Sequence, residues 1–220
     1  MHNKYNIFDS RIEAGNKLAE LLKEDEFEVL EIIPNGGLPV GYELLQKIPT
    51  IDFVDIMIVK KVHLPQTTEA GMGAITPDGE IFLNKELISN YSIHTKQIQS
   101  QIEETTSRIK LIKTEFGIID QVDVKNKSVL IIDDGIASGF SMLAGVNWLQ
   151  KRKAKKIIIG VPTAPLTSLL LLEEKVDKIY CANIRESFSF AVADAYKNWY
   201  DLTLSEAIMY FNKIRKILKQ

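Results

Sequence analysis

Many hydrophobic residues of this chain fall into short, predominantly apolar runs, separated by longer segments with a helical period. The short runs predict strands that are buried on both faces, because side chains on both faces are apolar. They cover residues 27–33, 51–59, 129–132, 157–161 and 178–182. The helical segments cover residues 10–24, 38–48, 142–151 and 166–174. Strands that alternate with helices predict an α/β fold whose parallel sheet is covered on both faces.

One stretch departs from this alternation. Residues 72–83 carry the turn sequence Thr76-Pro77-Asp78-Gly79 between two short segments, which predicts a β-hairpin. A long amphipathic helix is predicted next, because Ile98, Ile102, Ile109, Ile112 and Phe116 recur at spacings near three and four, with Thr105 filling the gap between Ile102 and Ile109. Its polar residues suit a solvated face, so we expect it to pack on the sheet or on a partner subunit of a homodimer.

Composition narrows the function classes. Of the 220 residues, 45% are hydrophobic and 25% are charged, which is ordinary for one globular domain. The formal net charge of −2 gives no overall attraction to nucleic acid or to an anionic membrane. Cys181 is the only cysteine, so no intrachain disulfide is expected. No apolar leader or bilayer-length run is present, and we therefore expect a cytoplasmic protein with no membrane partner.

The most informative segment is VLIIDDGIASGFS at residues 129–141. Four apolar residues end in Asp133 and Asp134, and a turn of small residues leads into a helical pattern that begins near Met142. Backbone N–H groups and the positive end of a helix dipole at such a turn suit a phosphate. The neighbouring carboxylates suit sugar hydroxyls or a divalent cation. A sugar phosphate would therefore use both halves of the segment.

Two other nucleotide-binding interpretations are excluded by missing motifs. A P-loop ATPase also has an apolar strand that ends in acids, but it needs G-x-x-x-x-G-K-[ST], and this chain has no Gly-Lys dipeptide. The G-x-G-x-x-G pattern of nicotinamide dehydrogenases is also absent. A buried strand whose acids only cap the next helix remains the purely structural alternative.

Residues 129–141 resemble the phosphoribosyl-pyrophosphate (PRPP) signature of type I phosphoribosyltransferases. The resemblance implies that Asp133 and Asp134 hold the 2- and 3-hydroxyls of the ribose. The residues implied to bind the 5-phosphate are Ala137, Ser138, Gly139, Phe140 and Ser141. Gly135 differs from many members, which have an aliphatic residue there.

The resemblance also implies a fold for the whole chain. It is an α/β doubly wound parallel sheet of about five strands, with a small hood and an insertion made of a β-hairpin plus a long helix. Residues 1–220 would form a single phosphoribosyltransferase-like domain, with the hood at residues 184–205. Aromatic residues of the hood would stack on a nucleobase or pack its core. They are Phe188, Phe190, Tyr196, Trp199 and Tyr200.

Two further segments resemble the pyrophosphate side of these enzymes. Asn35, Gly36 and Gly37 follow the first predicted strand, where the family has a pyrophosphate loop. Asn35 stands where an arginine or lysine is common, which removes a positive charge from the leaving group's site. A simple Gly-Gly turn is the alternative. Lys60 and Lys61 close the second predicted strand. We predict that Lys61 binds pyrophosphate, and the alternative is that both lysines are only solvated.

Residues 61–74 (KVHLPQTTEAGMGA) resemble a branch of bacterial and archaeal predicted phosphoribosyltransferases. The resemblance covers most of residues 8–205. Its matching positions outside the acidic segment are Pro34, Gly36, Gly37, Lys61, Pro65, Glu69, Gly73, Ala74 and Asn84. His63 stands where that branch usually has glycine, and we expect it to be exposed rather than to contact pyrophosphate.

The implied reaction transfers a 5-phosphoribosyl group from PRPP to a nitrogenous base and releases pyrophosphate. Mg²⁺ would accompany PRPP, reached by Asp133 or Asp134 through water rather than directly. Ala137 stands where transferases for 6-oxopurines carry an acid, so the segment is closer to the adenine type and proton transfer needs another residue. Glu69, on the loop after Lys61, is the candidate. The acceptor base stays open.

A second function class is a PRPP- or nucleotide-binding regulator on the same fold without efficient catalysis. Asn35 and Ala137 favour it, since both lack a charge that a transferase would use. Regulation through RNA would need a basic face. The two basic clusters are Lys151, Arg152, Lys153, Lys155 and Lys156, and Lys213, Arg215, Lys216 and Lys219. Such clusters are usually solvated faces, so we do not expect a nucleic-acid partner.

Overall fold

The structure is a computed structural model that describes residues 3–48, 51–65, 71–187 and 189–218. The strands are β1 (Val29–Ile32), β2 (Phe53–Ile56), β3 (Lys60–His63), β4 (Gly71–Ile75), β5 (Ile81–Leu83), β6 (Ser128–Ile132), β7 (Lys156–Pro165) and β8 (Lys178–Arg185). The helices are α1 (Arg11–Leu22), α2 (Gly37–Lys47), α3 (Lys85–Asn90), α4 (Thr95–Phe116), α5 (Phe140–Lys151), α6 (Leu166–Glu173) and α7 (Leu204–Ile217). A 3₁₀ helix spans Val192–Ala195.

A five-stranded parallel sheet in the order β2-β1-β6-β7-β8 forms the centre of the fold. Ile32 pairs with both Ile56 and Ile132, so β1, β2 and β6 end together at one edge. Successive side chains of β1 and β6 alternate between two apolar cores. One core lies under α1, α2 and α7, and the other under α5 and α6. The predicted doubly wound α/β architecture is confirmed.

The predicted strand at residues 51–59 is wrong in one respect. Only residues 53–56 form a strand, β2 of the large sheet, and the chain then enters β3 of a separate antiparallel sheet, β3-β4-β5, at Lys60. The N–H of Val59 donates to the carbonyl of Met57 (2.9 Å) where the chain leaves the first sheet. Met57, Ile58 and Val59 stay buried between the two sheets. An apolar run marks burial, and burial continues here through a turn, so the run could not show where the strand ends.

The predicted hairpin and long helix are both present. β4 and β5 pair across a turn in which the N–H of Gly79, at φ +90°, donates to the carbonyl of Thr76. Helix α4 buries Ile109 and Phe116, and Lys113 Nζ donates to the carbonyl of Pro77 in that turn (2.5 Å). The insertion is therefore one packed unit beside the carboxyl edge of the large sheet.

Helix α7 was not predicted from the sequence. Its start carries a capping box, in which the Thr203 side chain accepts from the N–H of Glu206 and the Glu206 carboxylate accepts from the N–H of Thr203. Phe211 packs edge-on against Phe116 of α4, with ring centroids 5.5 Å apart. The capping pattern Thr203-x-x-Glu206 was the available sequence signal.

Glu31 is a fully buried carboxyl group on β1, facing the core under α5. Among the described residues, neither of its carboxyl oxygens has a hydrogen-bond partner. Burial raises the pKa of Glu31 well above its usual value of 4.5, and the carboxylate of Asp55 on the neighbouring strand raises that pKa further. The surroundings of Glu31 therefore favour the neutral, protonated form of its carboxyl group.

We predict that Glu31→Gln changes the pH dependence of stability. The folded pKa lies above the unfolded one, so the native state holds this proton more tightly. The wild-type free energy of unfolding then falls as pH rises above 4.5, by up to about 1.4 kcal/mol per pH unit. Glutamine does not titrate, so in urea unfolding the free energy of unfolding of the variant should rise relative to that of the wild type as pH increases above 4.5.

Exposed Glu24→Gln serves as the control and should follow the wild-type curve. Parallel stability curves for the wild type and Glu31→Gln across this pH range would show that Glu31 is not held neutral.

Candidate ligand-binding site

Two loops meet at the carboxyl edge of the large sheet, one after β1 and one after β6. A Cβ at Gly36 would clash with the carboxylate of Asp134, and a Cβ at Gly37 would lie 3.1 Å from Cα of Asp133. The two glycines are therefore required for the close contact of these loops. The Pro34–Asn35 peptide bond is cis. The N–H of Gly37 donates to the carbonyl of Ile33 (3.2 Å), so this amide is already used inside the turn.

Asp133 lies at the junction of two cavities. Its Oδ1 accepts from the N–H of Asp134 (2.8 Å), and its side chain is half-buried. Burial and the adjacent carboxylate of Asp134 raise the pKa of Asp133 well above its usual range, while the Lys60 ammonium opposes this rise. An anionic Asp133 is therefore favoured by any cation that arrives beside it.

Asp134 faces the protein instead. Its Oδ2 accepts from Nε of Arg11 (2.7 Å), and its backbone carbonyl accepts from the hydroxyl of Tyr196 (2.5 Å). Burial raises the pKa of Asp134, and the Arg11 guanidinium opposes that rise. Asp134 is not among the residues that line the two cavities beside Asp133. Of the two acids expected to hold the sugar hydroxyls, Asp133 lines both cavities and Asp134 lines neither of them.

The guanidinium of Arg11 joins Asp134 to the hood. Its Nη1 donates to the carbonyl of Tyr200 (2.9 Å), and its central carbon lies 4.0 Å from the ring centroid of Trp199. Tyr196 is buried and packs against Phe8 (ring centroids 5.6 Å apart). These rings pack the hood and Arg11, while Phe188 lies outside the described residues. Sequence reasoning missed Arg11, because nothing in its local sequence separates it from an ordinary first-turn residue of α1.

The first cavity, which we call the loop cavity, has a volume of about 160 Å³ and lies over the turn after β6. It is lined by Lys61, Asp133, Gly135, Ile136, Ala137, Ser138, Gly139, Ser141, Met142 and Val192. Gly139 has φ +81° and caps the twelve-residue helix α5, whose first amides face this end of the site. The carbonyl of Ala137 accepts from the Ser168 hydroxyl (2.6 Å), which anchors the turn to α6.

Phe140 occupies a different position from its neighbours. Its side chain lines a separate cavity beside β4 and β5, together with Phe82 and Leu83. Among the five residues expected around a 5-phosphate, Phe140 is the one that does not line the loop cavity.

Gly135 is explained by the hood. A Cβ at Gly135 would lie 2.6 Å from Cγ1 of Val192 and 3.0 Å from Cγ2 of Thr163. Val192 fills the space that an aliphatic residue at position 135 would take, and it also lines the loop cavity. The glycine at position 135, where many family members have an aliphatic residue, is therefore compensated by the side chain of Val192.

The second cavity, which we call the α4 cavity, has a volume of about 260 Å³. It shares Lys61, Asp133 and Ser141 with the loop cavity. Its other lining residues are Ile33, Pro34, Val59, Lys60, His63, Gln101, Glu104, Thr105 and Arg108. Burial lowers the pKa of Lys60, and the Asp133 carboxylate opposes this change. Lys60, which sequence reasoning set aside in favour of Lys61, thus faces the site as well.

Two predicted site residues lie apart from these cavities. Asn35 donates from Nδ2 to the carbonyl of Leu202 (3.0 Å) and lines neither cavity. Glu69 lies outside the described residues. Within the described part of the chain, no cluster of three or more His, Cys, Asp or Glu side chains could hold a metal ion. Any Mg²⁺ would therefore need oxygen ligands from a bound substrate or from water.

The basic clusters are tied to their surroundings. Lys151 pairs with Glu80, Lys156 with Asp25, and Arg215 donates to the carbonyl of Phe116. Lys219 lies outside the described residues. Across the described ranges, the helices are too short or too polar to cross a membrane.

Comparisons with known proteins place this geometry in context. Residues 11–196 match a family model described as a phosphoribosyl transferase domain. A Mycobacterium tuberculosis H37Rv protein, named provisionally as a phosphoribosyl transferase, is 24% identical over 216 residues, which are 96% of this chain and 47% of that protein. The chain thus spans about half the length of the curated relatives it matches. The crystal structure of TT1426 from Thermus thermophilus has a TM-score of 0.74 at 22% identity, over 92% of this chain and 96% of that one. That likeness shows the shared fold.

We predict that Arg11 and Asp134 make strongly non-additive contributions to the free energy of unfolding. Arg11→Met leaves a buried carboxylate without its partner, and such a change destabilises a protein by about 3–5 kcal/mol. Asp134→Asn in the same chain removes the charge, so the double variant should lose much less stability than the sum of the single losses. Urea unfolding of the four proteins measures this difference.

Lys17→Met on the exposed part of α1 is the matched control, and it should stay within about 0.5 kcal/mol of the wild type. Additive losses in the Arg11 and Asp134 variants would mean that the pair does not hold this region together.

Proposed function

Because the matched residues make this chain a member of the phosphoribosyl transferase domain family, we propose that it transfers a 5-phosphoribosyl group from PRPP to a nitrogenous base. The observation that carries the proposal is the pair of cavities on either side of Asp133. One is lined by the turn at a helix N-terminus and the other by lysines. A ligand with an anion at each end and hydroxyls between them fits that order.

PRPP matches this arrangement group by group. Its 5-phosphate would lie in the loop cavity, where the turn from Ala137 to Ser141 leads into α5. Its ribose hydroxyls would lie beside Asp133, which accepts hydrogen bonds when ionised. Its pyrophosphate would point into the α4 cavity, towards Lys60 and Lys61. Lys61 lines both cavities, so its ammonium group is near the proposed positions of both the 5-phosphate and the pyrophosphate.

The proposed reaction breaks the bond between C1 of the ribose and a pyrophosphate oxygen. Pyrophosphate leaves with the electron pair, a nitrogen of the acceptor forms the new bond to C1, and the proton of that nitrogen passes to a general base, for which Glu69 is the candidate. Negative charge grows on the leaving group and positive charge on the sugar. In this proposal Lys60 and Lys61, which line the α4 cavity, would stabilise the negative charge, and Asp133 would stabilise the positive charge.

Asp133 is also the residue that fits a PRPP-bound Mg²⁺. It is a half-buried carboxylate between the proposed sugar and pyrophosphate positions, while Oδ2 of Asp134 is occupied by Arg11. Mg²⁺ commonly uses one or two carboxylates together with phosphate oxygens and water. When bound, it would supply neutralisation of phosphate charge.

The acceptor is proposed only as a class. Ala137 lines the exposed turn and has no group that exchanges protons, so an acid–base partner for the acceptor must come from another segment. Glu69 stays our candidate from the sequence. The proposed activity concerns this chain, which is about half the length of its curated relatives.

A specific observation favours the second candidate, a PRPP-binding regulator. The amide of Asn35 donates to Leu202 and lines neither cavity, so the loop after β1 supplies no cation to a leaving pyrophosphate. A protein of this design would bind PRPP and turn it over slowly or not at all.

Pyrophosphate release from PRPP, measured with Mg²⁺ and a panel of purine and pyrimidine bases, tests the proposal. We expect the wild type to release pyrophosphate with at least one base. Asp133→Asn should lower that rate by about 100-fold or more, because it removes a charge that acts on the reacting sugar. Asp52→Asn, at an exposed position before β2, should leave it unchanged.

Tight PRPP binding without release on any base would favour the regulator. Full activity of Asp133→Asn would contradict the role given to Asp133.

A further inference from the structure

Helix α4 does more than cover the sheet. Its buried face holds Thr105, Ile109 and Phe116 against the core. A second set of its residues, Gln101, Glu104, Thr105 and Arg108, lines the α4 cavity. These four positions have the spacing i, i+3, i+4 and i+7, which places them on one side of a helix. The inserted helix therefore forms a wall of the candidate site.

The α4 cavity gathers more positive than negative groups. Lys60, Lys61 and Arg108 face it with His63, against the carboxylates of Asp133 and Glu104. Arg108 lies close enough to Lys60 to lower the pKa of that lysine. Cations held together in one half-enclosed space repel one another, and a bound polyanion would relieve that repulsion.

Arg108 has a weak partner in the ligand-free protein. Its Nη2 donates to Oε1 of Glu104 (2.7 Å), one helical turn away. Both side chains are largely exposed, at 64% and 50%, and exposed pairs of this kind add little stability. Arginine can bind phosphate oxygens through two parallel hydrogen bonds, whereas the contact with Glu104 uses one guanidinium nitrogen, Nη2.

We infer that Arg108 is a pyrophosphate ligand of this site, and that Glu104 holds it until the anion replaces the carboxylate. The inference rests on the proposed function, because it gives the pyrophosphate end of PRPP a residue that the family resemblance did not supply. Arg108 takes the place of the charge that is missing at Asn35. The same chemistry serves pyrophosphate as part of PRPP and as the free product.

The ion pair of Arg108 and Glu104 also affects the release of pyrophosphate. Glu104 competes for Arg108 with any bound pyrophosphate, since both use the same guanidinium donors. Removing the charge of Glu104 should therefore strengthen pyrophosphate binding, whereas removing Arg108 should weaken it. A merely structural role for the pair would move neither affinity.

Calorimetric titration with inorganic pyrophosphate, PRPP and ribose 5-phosphate, each with and without Mg²⁺, tests the inference. We expect Arg108→Ala to weaken binding of pyrophosphate and PRPP by at least about tenfold, as loss of a charge-assisted contact implies. Its affinity for ribose 5-phosphate, which uses the loop cavity, should stay at the wild-type value. Glu104→Gln should bind pyrophosphate about two- to fivefold more tightly.

Lys110→Ala is the matched control, since Lys110 is an exposed cation on the same helix and does not line the cavity. It should leave all three affinities unchanged. Wild-type protein that binds no pyrophosphate, or Arg108→Ala that binds it as tightly as the wild type, overturns the inference.

The two proposals fail in different ways. If the wild type binds pyrophosphate through Arg108 but binds neither PRPP nor ribose 5-phosphate, the anion site is real and the transferase function is wrong. If PRPP binds and is turned over equally well by the wild type and Arg108→Ala, the function stands and Arg108 is not a ligand.

Discussion

The site depends on the different surroundings of two neighbouring carboxylates at the end of one buried strand. Asp133 faces the cavities, and Asp134 faces Arg11 at 2.7 Å. Two adjacent anions at a buried strand end would repel strongly, but Arg11 compensates the second charge inside the protein. Asp133 therefore remains available to a ligand, while Asp134 connects the edge of the sheet to α1 and the hood. Without that cation, the loop after β6 would carry an uncompensated buried charge.

The close fit of the surrounding loops follows from this arrangement. Gly36 leaves room for the Asp134 carboxylate, and Gly135 leaves room for Val192 of the hood. The hydroxyl of Tyr196 donates to the backbone of Asp134 and so holds the hood to the same strand end. Segments distant in sequence therefore meet at one point, with Asp133 and the first turn of α5 open to the two cavities.

The sequence predicted those strands, turns and helices whose pattern is visible in consecutive residues. Residues 129–141 combine a buried strand, a turn of small residues and a helix start, and each part is visible in consecutive residues. The hairpin at Thr76–Gly79 was visible for the same reason. The end of β2 at Ile56 was not visible, because Met57 to Val59 stay buried while the chain passes from one sheet to the other. The contacts of Arg11, Lys60 and Arg108 depend on tertiary distances that no spacing in the sequence encodes. For α4, the apolar stripe predicted the helix, but only the fold shows that its polar stripe from Gln101 to Arg108 faces a cavity.

The central claim is that one ligand spans both cavities with Asp133 between its two anionic ends. The most direct test titrates inorganic pyrophosphate into protein already saturated with ribose 5-phosphate. Pyrophosphate and ribose 5-phosphate are then each titrated into protein in the presence of PRPP. Two separate cavities predict that ribose 5-phosphate and pyrophosphate bind together, and that PRPP displaces both. Mutually exclusive binding of the two fragments, or PRPP that displaces neither, would contradict the account.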